Sequence, residues 1–144
     1  MVRGPGRHAA RVVILVDSSV WIDYFNGNDS READFLDETL GVRAVAIGDL
    51  ILTEVLQGFR HERDYKTAKR LLEEFTLFEL LGKKMAVTSA ENFRKLRKKG
   101  ITIRKTADVI IASFCIEHKI PLLFSDKDFQ PFVDHLGLRN AIHT

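Results

Sequence analysis

The sequence predicts a single α/β domain with a mostly parallel sheet. Short runs of apolar, β-branched residues, of which Val12–Val16 is the clearest, suit strands that are covered on both faces, as in the middle of a parallel sheet. Segments with apolar residues at helical spacing lie between these runs, and this alternation is typical of parallel sheets wrapped by helices. The length of 144 residues fits one domain of the commonest size, and the chain contains no internal repeat, low-complexity segment or linker.

Composition argues against membrane-spanning and disulfide-stabilised secreted proteins. The content of 45% hydrophobic and 29% charged residues is ordinary, and the longest apolar runs are far too short to span a membrane. The single cysteine, Cys115, cannot form an intramolecular disulfide, which favours a reducing compartment, and its apolar neighbours predict a buried, inert thiol. The basic residues 1–11 fail as a signal peptide, so we expect a flexible extension or a misassigned start, followed by one cytoplasmic domain over 12–144.

An ionisable residue follows the first predicted strand. Asp17 comes directly after Val12–Val16, and open α/β sheets bind ligands in the crevice outside the carboxyl ends of their strands. Asp17 is therefore the first candidate functional residue. The alternative is structural, because Asp-Ser-Ser is also ordinary helix-entry chemistry, in which side-chain oxygens accept hydrogen bonds from the first helical turn.

The following elements alternate as this fold class requires. Residues 19–25 are aromatic-rich and predict a turn or short helix. Asp29 and Glu32 have the spacing of a capping box, which predicts a helix that ends near Leu40. Four further elements are expected in order: a strand over 42–47, an amphipathic helix over 50–60, a charged helix over 61–75 and a strand over 76–81.

Glu54 is the second candidate functional residue. It lies about one turn into the helix predicted over 50–60, close to its positive end, so compensation of the helix dipole is the structural alternative. The apolar neighbours of Glu54 weaken that alternative, because an unpaired carboxylate in such a setting is costly.

A basic cluster lies on the next predicted helix and the loop after it. Thr88 and Glu91 repeat the capping-box spacing, so a helix is expected over 89–99, ending at Gly100. Seven of the twelve residues from 94 to 105 are basic: Arg94, Lys95, Arg97, Lys98, Lys99, Arg104 and Lys105. A solvated helix face is the usual fate of such a run. Phe93 and Leu96 leave one side for the core, however, so the other side forms a dense positive stripe.

Two more acids occur at equivalent places in the last part of the chain. The segment 106–117 is apolar nearly all round and begins with Thr106 as a cap, which predicts a buried helix whose first turn carries Asp108. Residues 121–124 form a short predicted strand that ends close to Asp126, which repeats the pattern seen at Asp17. The tail is expected to contain a short helix and a weak last strand.

These four acids are expected to converge. In a parallel sheet wrapped by helices, the carboxyl ends of strands and the amino ends of the following helices meet at one edge. Four ionised carboxylates packed together repel one another, and their pKa values rise unless a cation compensates them. Mg²⁺ and Mn²⁺ prefer oxygen ligands, whereas the five histidines are scattered without the spacing of a zinc site.

An acid-only site with a basic surface beside it favours phosphoryl transfer on a polyanion. Divalent cations can activate water and shield the charge of the leaving oxygen, while Arg and Lys hold the polyanionic backbone. The Gly-rich nucleotide and dinucleotide motifs and the Gly-x-Ser-x-Gly motif are absent. Ser18 and Ser19 have no obvious histidine base, so positioning a water or a neighbouring carboxylate is the more plausible role for them.

Four stretches together resemble the PIN domain, specifically the VapC-type toxins of bacterial and archaeal toxin–antitoxin pairs. They are Val-Asp-Ser-Ser-Val-Trp-Ile-Asp at 16–23, Leu-Thr-Glu-Val-Leu-Gln-Gly at 52–58, Thr-Ala-Asp-Val-Ile-Ile-Ala at 106–112 and Ser-Asp-Lys-Asp-Phe at 125–129. The match covers roughly residues 12–140 in order and spacing. The extension over 1–11 departs from the pattern, because family members usually begin at the first strand.

The resemblance implies a three-layer α/β/α sandwich and a Mg²⁺- or Mn²⁺-dependent endoribonuclease that leaves a 5′-phosphate, is usually a homodimer and is neutralised by a cognate antitoxin. By position, the metal-binding and catalytic acids would be Asp17, Glu54, Asp108 and Asp126. Asp128 matches an acid whose role varies between ligation through water and helix capping, with Ser18 and Ser125 as supporting residues. RNA would be bound by the basic residues Arg94, Arg97, Lys98, Lys99, Arg104 and Lys105.

Two other functions are compatible with the residues. One is a non-catalytic RNA- or protein-binding module in which the acids receive a basic partner segment. The other is a structure-specific DNA nuclease of related fold. The aromatic residues Trp21, Tyr24 and Phe25 could form a dimer or antitoxin surface, but core packing explains them equally well.

Overall fold

The computed structural model describes residues 13–143. The extension predicted over 1–11 therefore lies outside the described residues. The strands are β1 (Val13–Val16), β2 (Ala44–Gly48), β3 (Thr76–Phe78) and β4 (Leu122–Leu123). The helices are α1 (Ser18–Asn26), α2 (Arg31–Thr39), α3 (Asp49–Gln57), α4 (Glu62–Leu72), α5 (Lys83–Lys98), α6 (Thr106–His118) and α7 (Gln130–Leu136). Short 3-10 helices span Lys127–Phe129 and Ala141–His143.

The four strands form one parallel sheet in the order β3-β2-β1-β4. Leu15 of β1 defines the register of β1 with its two neighbouring strands. It pairs with Ala46 of β2 on one side and with Leu122 of β4 on the other. The chain steps from β1 to β2 to β3 in one direction and then returns to the opposite side of β1. The order therefore reverses between β1 and β4, and such a switch point opens a crevice at the carboxyl ends of the two strands.

Helices pack around this sheet in two groups, which confirms the predicted three-layer α/β/α architecture with its mostly parallel sheet. Helix α1 contacts α2 and α3, and α3 contacts α4, whereas α5 contacts α6 and α7. Helix α6 is the most buried: eight consecutive residues, Asp108–Cys115, are buried, as its apolar composition predicts. Cys115 is a buried free thiol whose pKa is raised by its burial. No helix within residues 13–143 has the length and apolar character needed to cross a membrane.

Three of the predicted helix caps are wrong. Helix α2 is capped by Ser30 and not by Asp29, because the Ser30 hydroxyl accepts a hydrogen bond of 2.9 Å from the amide of Ala33. Helix α6 has no side-chain cap at all; Lys105 occupies the cap position and Thr106 is already helical. The capping box predicted at Thr88 lies in the middle of α5.

Helix α5 begins six residues earlier than predicted, at Lys83. Gly82 precedes it with φ 111°, a backbone conformation that suits glycine and marks the entry of the chain into the helix. Met85 and Ser89 are buried within the helix, so core packing in the early turns and not a side-chain cap defines its start. The end at Lys98 agrees with the prediction, and Gly100 follows with φ 83°.

Replacement of Gly48 by Ala is expected to destabilise the protein by about 1–3 kcal/mol, the usual cost of overpacking a core. Gly48 is the last residue of β2, and a Cβ atom there would lie 2.4 Å from Cδ1 of Leu80, a fully buried side chain. Chemical denaturation followed by circular dichroism measures the loss. Gly58→Ala is the matched control, because its nearest contact would be 3.5 Å, so its stability should be unchanged or slightly higher. Equal stability of the two variants would contradict the packing argument.

Candidate metal centre

Three acids come together at the carboxyl edge of the sheet. One carboxylate oxygen from each of Asp108, Asp126 and Asp128 lies within 4.8 Å of the others. Asp108 is in the first turn of α6, and the other two lie in the turn that follows β4. The turn is rigid at Asp126, whose Oδ1 accepts a hydrogen bond of 2.9 Å from the amide of Asp128. These three residues form the acidic triplet referred to below.

Asp17 lies at the end of β1 and is held on two sides. Its amide donates to the carbonyl of Leu123 at 2.9 Å, which fixes it against β4. Its Oδ2 accepts a hydrogen bond of 2.9 Å from the hydroxyl of Ser19, and that hydroxyl lies 3.1 Å from the hydroxyl of Ser125. Asp17 is also the N-cap of α1, so the structural alternative is correct as a description of its contacts. Capping uses Oδ2, whereas Oδ1 is buried and has no hydrogen-bond partner within residues 13–143.

Burial raises the pKa of Asp17 above its ordinary value of 3.8, and the negative charge of Glu54 raises it further. Hydrogen bonds from Ser19, and from the Ser18 amide, act in the opposite direction. Glu54 is the sixth residue of α3, too far from the start of the helix for dipole compensation to be its main role. One of its oxygens, Oε1, is also buried without a hydrogen-bond partner.

The pKa of Asp108 is strongly perturbed by its surroundings. Asp108 is 4% exposed, and desolvation is the main reason that its pKa rises from 3.8 to about 7. The neighbouring charges of Asp17, Asp126 and Glu54 raise it as well, whereas Lys105 lowers it. Because Asp17, Asp126 and Glu54 all raise the pKa of Asp108, the four acids belong to one electrostatic cluster.

The donor set fits a hard divalent cation. Buried polar atoms are nearly always paired, yet Asp17 Oδ1, Glu54 Oε1 and Asp108 Oδ2 have no partner among the described residues. All are carboxylate oxygens, the ligand type that Mg²⁺ and Mn²⁺ prefer. The acidic triplet would supply direct ligands. Asp17 and Glu54 are not part of this set of closely spaced oxygens and add negative charge beside it.

The supporting serines are placed differently from one another. Ser125 contacts the site through Ser19, and Ser18 contributes through its backbone amide rather than its hydroxyl. The serine whose side chain contacts Asp17 is Ser19. The position of Ser19 in the first helical turn predicts this contact, because a hydroxyl two residues after the capping aspartate can donate a hydrogen bond to its carboxylate.

The six predicted RNA-binding residues are exposed, and four of them form two groups. Arg94 and Arg97 line a groove of about 430 Å³ between α5 and α6, together with Phe93, Val109 and other mostly apolar residues. Arg97 also lies over the ring of Phe93, with 5.5 Å between its Cζ and the ring centroid. The second group, Arg104 and Lys105, adjoins the acidic triplet. Lys98 and Lys99 lie between the groups, at the end of α5.

A buried hydrogen bond fixes the basic helix against the helix that carries Asp108. Asn92 of α5 donates to the hydroxyl of Ser113 of α6 at 2.9 Å, and both residues are buried. A polar contact in an apolar interface is directional, so it fixes the rotation of α5 relative to α6. The basic residues of α5 are thereby held at a constant position relative to the acids.

The aromatic residues near the amino end belong largely to the core. Trp21 is fully buried and stacks on Phe25 with 5.9 Å between ring centroids, and its ring also meets Phe75 at 5.6 Å. Tyr24 and Phe25 are only partly buried. Core packing therefore explains Trp21, whereas Phe25 also lines a shallow surface groove beside Phe59.

The fold and the site together define a class: a three-layer α/β/α domain with a buried acidic cluster at the switch point of a parallel sheet. The PIN domain family model matches residues 14–132, which is most of the chain. This chain therefore belongs to the PIN domain family, as the four sequence motifs indicate.

Sequence and structure comparisons agree with this membership. The chain is 28% identical over 131 residues to ribonuclease VapC11 of Mycobacterium tuberculosis, covering 90% of this chain and 98% of the relative. Its fold is similar to a chain of VapBC2 from Rickettsia felis bound to a promoter DNA fragment, with a TM-score of 0.71, 17% identity and coverage of 89% and 96%. A chain of DNA-bound VapBC from Salmonella typhimurium gives a TM-score of 0.67, 16% identity and coverage of 90% and 96%.

Proposed function

We propose that this protein is a Mg²⁺- or Mn²⁺-dependent endoribonuclease that acts as the toxin of a toxin–antitoxin pair. The observation that carries the proposal is the buried acidic cluster, in which Asp17, Glu54 and Asp108 each have a carboxylate oxygen without a partner. A protein keeps such groups buried at a cost to stability, and a cation would remove that cost. The similarity to ribonuclease VapC11 supports RNA as the substrate.

The residues of the acidic cluster would have different roles in the reaction. Asp108, Asp126 and Asp128 would hold the cation, since their oxygens already lie within 4.8 Å of one another. When bound, a divalent cation supplies a Lewis acid that lowers the pKa of a water and shields the charge of a phosphodiester. Asp17 and Glu54 would keep the site negative enough to retain the cation, and Glu54 has a free oxygen that could accept a proton from water. Ser19 would hold the orientation of Asp17.

The exposed basic residues of α5 and the following loop would bind the RNA backbone. Arg94 and Arg97 line the groove that includes Thr106 at the start of α6. Arg104 pairs with Asp128, and the charge of Lys105 acts on Asp108. Contacts of basic side chains with the RNA backbone bind phosphate without reading sequence, so binding should weaken as salt concentration rises.

The partners of the protein follow from the same similarity. Solved structures of similar fold are described as VapBC complexes, which supports a cognate antitoxin as a protein partner of this chain. A homodimer and a cytoplasmic location are part of the proposal as well. Chromatography of the protein alone and with the product of the neighbouring reading frame tests both assemblies.

Cleavage of matched RNA and DNA oligonucleotides tests the proposed reaction. The purified protein is expected to cut single-stranded RNA in Mg²⁺ or Mn²⁺ and to leave DNA of the same sequence intact. Addition of EDTA should stop RNA cleavage. Products should carry a 5′-phosphate, which a 5′-phosphate-dependent exonuclease detects. Cutting of DNA in preference to RNA would favour a structure-specific DNA nuclease. Absence of cation binding at millimolar concentration would favour a non-catalytic binding module.

A further inference from the structure

Arg104 connects the acidic triplet to the basic surface. It lies in the loop between α5 and α6, just before the helix that carries Asp108. Its Nε donates to Asp128 Oδ2 at 3.3 Å, and its Nη2 lies 3.3 Å from the same oxygen. Asp128 is a member of the acidic triplet. A positive side chain of the protein is therefore bound to one of the three residues that would hold a cation.

The contact between Arg104 and Asp128 is weak enough for either residue to exchange it for another partner. The side chain of Arg104 is 77% exposed and that of Asp128 is 23% exposed, and ion pairs in contact with water contribute little to stability. Both nitrogens contact one oxygen, so the pair lacks the two parallel hydrogen bonds of the strong arginine–carboxylate geometry. The guanidinium can leave Asp128 at small cost.

We propose that Arg104 is a binding residue shared between two anions. It neutralises Asp128 while no cation is bound, and it binds an RNA phosphate once Asp128 has turned to the cation. Arginine suits both positions, because its planar guanidinium matches carboxylate and phosphate alike. The second half of this inference rests on the proposed ribonuclease function, whereas the first half concerns only residues of this chain and its affinity for cations.

Lys105 offers a matched control for the charge of Arg104. It is the next residue, it is exposed, and its charge acts on the same site by lowering the pKa of Asp108. No ion pair between Lys105 and an acid of the triplet occurs in the described part of the chain. Removal of either residue deletes one positive charge beside the site, but only Arg104→Gln frees Asp128.

Titration of the full-length protein with Mn²⁺ alone, followed by electron paramagnetic resonance, tests the first half. Arg104→Gln is expected to bind Mn²⁺ about two- to fivefold more tightly than the parent, the range for loss of one exposed ion pair, and to exceed the gain in Lys105→Gln. In the Asp128→Asn background, Arg104→Gln should give no gain beyond that of Lys105→Gln. Two results would overturn the proposed exchange. One is an equal increase in Mn²⁺ affinity in the two single variants, and the other is the same increase for Arg104→Gln with and without Asp128.

Cleavage kinetics at saturating Mn²⁺ test the second half. Arg104→Gln is expected to raise the KM for RNA about tenfold with a smaller change in kcat, as for loss of a charge-assisted hydrogen bond, and Arg104→Lys should restore part of the affinity. An unchanged KM would overturn the role in phosphate binding. If the parent protein cuts no RNA, the ribonuclease proposal fails, but the Mn²⁺ titration still decides whether Arg104 competes for Asp128.

Discussion

Asp108→Asn is expected to reduce RNA cleavage at least about a hundredfold, the usual effect of removing one electrostatic element from an active site. The substitution keeps the shape of the side chain but removes its charge and one of the three proposed cation ligands. The variant should also stop arresting growth when expressed in bacteria. Cleavage of a labelled RNA in Mg²⁺ measures the first effect, and colony formation after induction measures the second.

The same variant is expected to remain folded. Asp108 is buried and its Oδ2 has no partner, so the ionised residue destabilises the cation-free protein at neutral pH. Thermal unfolding at about pH 8, where the parent carboxyl is ionised, should therefore give a Tm for Asp108→Asn no lower than that of the parent. Asp134→Asn is the control for cleavage, because Asp134 is an exposed acid of α7 whose side chain accepts a hydrogen bond of 2.9 Å from Gln130. Full activity of Asp108→Asn would remove Asp108 from the site.

The stability of the cation-free protein is expected to fall as the pH rises from about 4 to about 7. The pKa of Asp108 is 3.8 before folding and about 7 in the folded protein, and the pKa of Asp17 shifts in the same direction. Between these values the folded protein binds more protons than the unfolded chain, so raising the pH favours unfolding, by up to about 1.4 kcal/mol per pH unit for each such group. Asp108→Asn should remove part of this slope.

Cation binding should show the opposite dependence on pH. A cation needs the ionised carboxylate, so its apparent affinity is expected to fall about tenfold per pH unit below the Asp108 pKa of about 7. Millimolar Mg²⁺ should therefore raise the Tm clearly at about pH 8 and very little at about pH 5.5. Unfolding scans with Mg²⁺ and with EDTA at both values measure this. An equal increase at both values of pH would mean that Asp108 does not take part in binding.

Several parts of the fold could be predicted because burial imposes a pattern on the sequence. Helix α6 is apolar on every side and is fully enclosed, and the strand before Asp17 is β-branched and lies in the middle of the sheet. Helix starts were harder, because Asp29 and Ser30 are equally good caps one residue apart. At Thr88 the capping-box spacing was misleading, since the packing of Met85 and Ser89 extends α5 toward Gly82.

The site was predictable as a set of acids but not as a geometry. Asp17, Glu54, Asp108 and Asp126 do influence one another, as expected from their places at strand and helix ends. The triplet with the shortest separations includes Asp128 instead of Asp17 or Glu54. That difference depends on the turn after β4, where the Asp126 carboxylate caps the amide of Asp128, and no periodic pattern encodes the direction of side chains in such a turn.

The shortness of β4 has a consequence for how the acids are held. This strand has two residues, and beyond it the sheet continues only as a single bridge between Leu122 and Asn140. The turn that carries Asp126 and Asp128 is anchored by the buried ring of Phe129 and by exposed contacts, which are Ser125 with Ser19 and Asp128 with Arg104. Slight fraying at the end of β4 would move the carboxylates of Asp126 and Asp128 away from Asp108 and leave the rest of the hydrophobic core intact. We therefore expect the proposed cation site to open and close through a local motion that costs less free energy than global unfolding.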